Sequence, residues 1–289
     1  MSETTTRTPE ERYPSFEPIQ STIERVVDTI GKRTGKPDII TGFKVIDEGI
    51  WGLHRRQLLT IAARPGQGKT SFACQTAYNI AKAGYKTAFL SLEMTKESIL
   101  ERMFCIEYGV KAWDLLTGNI TDEIKKKLAN FLTDSVDLPL QIIDDYCFTE
   151  NELFTLIEHI KFRPDVIFLD HIQHIRSSSR KSNYECLTEY FRYLKEISMR
   201  FDIAMVVLSQ INRSGEEKPT LANLKGTGGI EEMSDYVFLM NPKEGLIVED
   251  GYNYSIMIAK NRYGAVKNVN MYFDPTMTKF HEIDIRSFK

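Results

Sequence analysis

One stretch of the chain could grip a phosphate: Ala62-Ala63-Arg64-Pro65-Gly66-Gln67-Gly68-Lys69-Thr70. An apolar run, Leu58 to Ile61, precedes it. A helical pattern follows, with Phe72, Ala73, Thr76, Ala77 and Ile80 on one face. A glycine-containing loop between a strand and a helix turns backbone N–H groups toward an anion, where the helix dipole is positive. Arg64, Pro65, Gly66, Gln67, Gly68 and Ser71 would line that cradle. Lys69 would reach the β- and γ-phosphates as a point charge, and the Thr70 hydroxyl would hold Mg²⁺. Ala63 stands where the G-x-x-x-x-G-K-[ST] pattern usually begins with glycine.

Cleaving a phosphate also needs a metal partner and a group that activates water. Asp165 to Asp170 is an apolar run ending in a carboxylate, a Walker B pattern with Asp170 as outer ligand to Mg²⁺. Phe89 to Glu93 ends in an acid in the same way. Carboxyl ends of parallel strands meet at the ligand crevice, so Glu93 would face the γ-phosphate and polarise water. A third run, Met205 to Gln210, places Gln210 at that edge as a γ-phosphate sensor. The loop from Ile211 to Thr227 is long, polar and glycine-rich, as functional loops are. Around its end, Lys225, Gly226 and Gly228 offer a cation and flexible N–H groups to a phosphodiester. A second basic loop, Ile175 to Tyr184 with Arg180 and Lys181, lies after the Walker B run and points the same way, toward nucleic acid. Lys260 and Arg262 stand two residues apart at a strand end, on one side of the strand and with no acidic partner near in sequence. Arginine delivered from a neighbouring subunit can stabilise transition-state charge.

The elements that must hold these groups alternate. Strands are expected at 58–63, 86–92, 140–143, 165–170, 203–208, 235–240, 254–259 and 268–273. Helices are expected at 70–83, 96–108, 122–133, 150–161 and 184–200. The early strands are continuously apolar, as in a parallel sheet covered on both faces. The late ones, 235–273, lack intervening helices and suggest an antiparallel extension at the sheet edge. The fold class is therefore α/β, one large domain over residues 38–289. Ahead of it, residues 1–20 are polar and proline-bearing, and read as a disordered arm. Residues 21–37 read as a short amphipathic helix (21–32, with Ile23, Val26, Val27 and Ile30 on one side) and a linker.

The chain has 289 residues, 42% of them apolar, and a formal net charge of −3. A nucleic-acid site must then be a local patch rather than a global basic field. The four cysteines, Cys74, Cys105, Cys147 and Cys186, form no C-x-x-C pair and read as reduced thiols. No stretch approaches a membrane span, and Met1 to Thr6 lacks the form of a signal peptide. The expectation is a soluble, cytoplasmic protein of a bacterial or phage-infected cell, with no membrane partner.

Taken together, the motifs resemble the RecA-like motor domain of DnaB-type replicative helicases, including phage primase-helicases and the mitochondrial Twinkle group. The matching pieces are Thr41 to Asp47, the Ala-Arg-Pro form of the P-loop, Ser91 to Met94 and Asp170 to Gln173. They continue through Leu208 to Ser214, Leu224 to Asp235 and Lys260 to Arg262, in the family's order. The resemblance implies a RecA-like P-loop fold in which ATP sits between subunits of a ring. Glu93 would be the catalytic glutamate, and Lys260 and Arg262 would reach into the neighbour's site, Arg262 as arginine finger. Phe273 would lie against adenine, and the loop at Lys225 would line the channel that holds single-stranded DNA. Residues 21–32 would be the linker helix that packs on the adjacent subunit. The function so implied is an ATP-dependent, hexameric 5′→3′ DNA helicase. Two departures stand out. Pro242 and Lys243 occupy the place where the family usually has an arginine. Only residues 1–37 precede the motor, where the family has a collar or primase domain, so a separate primase, loader or polymerase is expected to assist. A RecA/RadA-like filament-forming recombination ATPase is the alternative. A nucleotide-switched scaffold is disfavoured by the intact Lys69, Glu93, Asp170 and Arg262.

Overall fold

The structure, a computed structural model, describes residues 19–31, 35–144, 149–175, 182–211, 220, 229–248 and 251–283. The chain forms two compact units, Met1–Lys36 and Pro37–Lys289. In the first, helix α1 (Ile19–Gly31) covers most of the expected helix. Its stripe of Ile23, Val26, Val27 and Ile30 is exposed along the whole length.

The second unit is built on β1 (Leu58–Ala63), β2 (Thr87–Ser91), β3 (Leu140–Asp144), β4 (Val166–Asp170), β5 (Ala204–Gln210), β6 (Tyr236–Val248), β7 (Gly251–Asn261), β8 (Lys267–Asp274) and β9 (Lys279–Glu282). They make one sheet in the order β3-β2-β4-β5-β1-β6-β7-β8-β9. Helices α2 (Lys44–Ile50), α3 (Lys69–Lys82), α4 (Lys96–Tyr108), α5 (Ala112–Thr117), α6 (Asp122–Ser135), α7 (Glu150–His159), α8 (Asn183–Phe201) and α9 (Ile230–Met233) complete it. Alternation along each strand builds two cores at once. In β1, Leu59, Ile61 and Ala63 join the core that receives Phe72, Ala77 and Ile80 of α3 and Ile99 and Met103 of α4. Leu58 and Ala62 join the opposite core, with Leu153 and Ile157 of α7 and Phe191 and Leu194 of α8. Each buried Leu, Ile, Phe or Met among them contributes about 1.5–3 kcal/mol, so the helices have little freedom to slide.

The expected strands are all present, with one difference in direction. The strand at 235–240 is not part of an antiparallel extension: β6 runs parallel to β1. The reversal begins only at β7, which pairs antiparallel with β6, and continues through β8 and β9. Entry into β6 follows a crossover from β5 that ends in α9, too short a helix to show as a periodic pattern. Helices α2 and α5 were missed for the same reason, as was strand β9. Cys74 and Cys105 are free and buried, as expected of reduced thiols, Cys186 is buried, and Cys147 lies outside the described residues. Among the described residues no helix is long and apolar enough to cross a membrane.

Candidate active site

Register assembles the site. In the sheet, Ala63 pairs with Gln210 and Ser91 pairs with Asp170, so the carboxyl ends of β1, β5, β2 and β4 form one edge. A cavity of about 410 Å³ opens there, lined by Arg64 through Ser71, Glu93, Gln210 and Phe273. All the P-loop residues expected from sequence meet in it. Ala63 is a buried strand residue with negative φ, which explains why glycine is dispensable at that position. Gly68 is different. It caps α3 with φ 71°, and a Cβ there would come within 3.1 Å of Phe280 and 3.3 Å of Phe273.

That crowding reveals a roof that sequence reasoning saw only in part. Phe72, one turn into α3, stacks on Phe43 at 5.1 Å and meets Phe280 edge-on at 5.4 Å. Gln75 exchanges hydrogen bonds with the Phe280 backbone: its Nε2 donates at 2.9 Å and its Oε1 accepts at 2.8 Å. The Tyr254 hydroxyl donates to the Gln67 carbonyl. The antiparallel strands thus fold Phe273, Phe280 and Tyr254 over the P-loop, leaving the Phe273 ring at the cavity wall. Arg102 was also missed. It reaches from α4 into the cavity and donates to Ser71 Oγ at 2.7 Å. A cation set between the buried Ile99 and Met103 was the available signal.

Beneath the cavity the charges are confined. Asp170 is fully buried, and neither carboxylate oxygen has a hydrogen-bond partner of good geometry. Burial pushes its pKa up, while the Lys69 charge and the Thr70 hydroxyl beside it pull down. Burial likewise lowers the Lys69 ammonium, and Asp170 and Glu93 oppose the shift. An orphaned buried carboxylate next to a hydroxyl is a hard-oxygen donor set, and Thr70 with Asp170 fits a magnesium ion. Glu93 is positioned by Ser91, whose hydroxyl donates to the Met94 carbonyl at 2.7 Å and accepts the Met94 N–H at 3.1 Å. Its Oε2 lies 3.1 Å from His171 Nδ1. Burial, with the Lys69 and His174 charges, lowers the His171 imidazole to about 3, so it is neutral near pH 7. Gln210 is held by Gln173, which accepts its N–H at 3.2 Å and donates to its carbonyl at 3.2 Å.

Lys260 and Arg262 do not join this site. Asn261 pairs with Tyr236, which pairs with Leu59 at the start of β1. They therefore stand at the opposite edge of the sheet, about 13 Å from the end of β1 along the strands and two strands across. The acidic partner not evident in sequence is Asp235. Its fully buried carboxylate accepts from Arg262 at 3.0 Å, Lys195 at 2.6 Å and the Leu58 N–H at 2.9 Å. Lys260 donates to the Glu231 carbonyl. Arg180, Lys181, Lys225, Gly226 and Gly228 lie outside the described residues.

Sheet order, P-loop and the acids at the strand ends define a nucleotide-binding domain of the RecA-like class. Residues 38–282 match the family model of the DnaB-like helicase C terminal domain. The chain belongs to that family. The replicative DNA helicase DnaC of Bacillus subtilis is 30% identical over 275 residues, covering 91% of this chain and 60% of that protein. A probable plasmid replicative DNA helicase of Chlamydia muridarum is 33% identical over 253 residues, 84% of this chain and 54% of that protein. The chain thus spans little more than half the length of these relatives. Among solved structures, an isolated ATPase domain superimposes with a TM-score of 0.84 at 22% identity, covering 92% of this chain and 99% of that one. A DnaB-like replicative helicase studied for its interactions with primase gives 0.81, also at 22% identity, over 93% of this chain and 67% of that one. These likenesses confirm the fold read from the motifs.

Proposed function

We propose that this chain is the motor of a replicative DNA helicase, hydrolysing ATP at a site that two copies complete. The P-loop N–H groups and Lys69 hold the triphosphate, Phe273 backs the adenine, and Glu93 polarises the attacking water. Thr70 and Asp170 would hold Mg²⁺, which would neutralise phosphate charge. Gln210 contacts the γ-phosphate and reports its loss to the loop that follows β5, where Lys225, Gly226 and Gly228 grip single-stranded DNA together with Arg180 and Lys181 of the loop after β4. The assembly is a hexameric ring moving 5′→3′ in the cytoplasm, helped by a separate primase, loader or polymerase. The exposed stripe of α1, in the linker segment 21–37, docks on the neighbouring subunit.

One observation carries the shared site: Lys260 and Arg262 are fixed at the sheet edge remote from their own P-loop. An arginine anchored there can meet a γ-phosphate only if another copy presents one. Such geometry is heterologous, and closes into a ring or runs on as a filament. Unwinding of forked DNA with tails of either polarity, beside native mass measurement with and without ATP, tests the reading. Unwinding from a 5′ tail by a closed assembly is expected. Strand exchange by open filaments without unwinding would favour the recombination alternative and overturn the helicase reading.

A further inference from the structure

Glu93 and His171 line the cavity, and His174 stands beside them. One ligand atom from each lies within 4.8 Å of the others. Glu93 Oε2 is 3.1 Å from His171 Nδ1, and the two imidazoles meet at 4.3 Å with their planes 89° apart. The His171 side chain is only 5% exposed, yet its Nδ1 is sealed from solvent without a hydrogen bond of good geometry. A buried ring nitrogen left without a hydrogen bond only 3.1 Å from a carboxylate oxygen is a polar atom in want of a partner, and a cation held by both groups would satisfy it. His174 is exposed, with its ring against that of His171.

The donor set selects the ion. Two imidazoles and one carboxylate, with a position left open, match zinc, whose ligands at about 2.0–2.2 Å in tetrahedral array stand roughly 3.4 Å apart. Magnesium prefers an octahedral shell of oxygens, so it is directed to Thr70 and Asp170 instead. The two ions would occupy different ligands in one cavity.

We propose that Glu93, His171 and His174 form a regulatory site for Zn²⁺ or a similar transition cation, which holds the Glu93 carboxylate away from the attacking water and stops ATP hydrolysis. The inhibitory half of this rests on the reading of Glu93 as the water-polarising group; the binding half does not. Full-length, metal-stripped protein is titrated with Co²⁺ and Zn²⁺ without nucleotide, following the visible absorption of tetrahedral Co²⁺ and its displacement by Zn²⁺. Mg²⁺-dependent ATPase is then measured against free Zn²⁺ set by a chelator buffer.

The wild type is expected to bind one ion per chain, with ATPase falling as the site fills and returning on chelation. His174→Asn should weaken binding at least about tenfold and move the inhibition curve equally. Its basal rate should stay within about twofold, since the side chain is exposed. His174→Cys should keep tight binding and add a thiolate–Co²⁺ band. No binding by the wild type, or equal binding by His174→Asn, overturns the site. Binding without inhibition overturns its regulatory role. Absence of any Mg²⁺-dependent ATPase sinks the helicase reading alone, because the Co²⁺ spectrum needs no turnover.

Discussion

Replacing Arg262 by alanine should separate catalysis from folding. In the folded chain the Arg262 side chain is 49% exposed, and its ion pair with Asp235 spans 3.0 Å. A pair whose cationic end is half exposed, though its acid is buried, is screened by solvent and worth about 1 kcal/mol. Lys195 and the Leu58 N–H still occupy the Asp235 carboxylate once Arg262 is gone. The melting temperature should therefore fall by no more than about 3 °C. If Arg262 serves the neighbour's γ-phosphate, hydrolysis should drop by roughly 10³–10⁵, equivalent to about 4–7 kcal/mol of barrier. Nucleotide binding should survive, because every described P-loop contact comes from the other sheet edge. The decisive assay mixes Arg262→Ala with Glu93→Gln, each inactive alone. A site is whole when Glu93 comes from one variant and Arg262 from the other, in one of four random pairings. Equal mixing should then restore about a quarter of the wild-type sites. No recovery after verified subunit exchange, or ATPase in Arg262→Ala above a tenth of wild type, would refute the argument.

Four further outcomes are expected. Phe273→Ala should weaken ATP binding about tenfold, the value of one lost stacking contact, as read by a fluorescent nucleotide; unchanged affinity would move the base elsewhere. Asp235→Ala should cost about 2–3 kcal/mol in urea unfolding, since Lys195, Arg262 and the Leu58 N–H all lose their acceptor, and a cost under about 0.5 kcal/mol would deny the network its structural role. Asp47 accepts the Thr41 N–H at 2.9 Å, but burial raises its pKa. Its native state therefore binds more protons than the unfolded chain, so its contribution is present below the ordinary carboxylate pKa and is lost as pH rises through the raised value. Asp47→Asn should gain stability over wild type at pH 7 and not at pH 3; the same difference at both would rule out this titration. Lys225→Ala should weaken single-stranded DNA binding and its salt dependence, with DNA-independent ATPase kept; equal affinity would remove that loop from the DNA path.

Much of the site was legible because it is local in sequence. Lys69, Thr70 and Gly68 share one loop, and Glu93, Asp170 and Gln210 each end an apolar run that reads as a buried strand. Parallel order then brings such ends together without further information. What escaped was non-local. Tyr254, Phe280 and Gln75 meet through pairings some two hundred residues apart, which no window of sequence exposes. The parallel course of β6 escaped because direction is set by the crossover before a strand, not by the strand's own residues. The partner of Arg262 was hidden in the same way: Asp235 is 27 residues away and becomes adjacent only when β7 folds back.

The Asp235 cluster ties Arg262 to the first residue of β1, and the far end of β1 runs straight into the P-loop. A strand hydrogen-bonded on both sides is stiff, so the two ends cannot move independently. In the proposed assembly each copy would then act as a rocker arm, clasping its own fuel at one tip and touching its neighbour's at the other. Tilting to admit ATP on one side must lift or press the arginine on the next, and firing would pass around the assembly by mechanical contact alone.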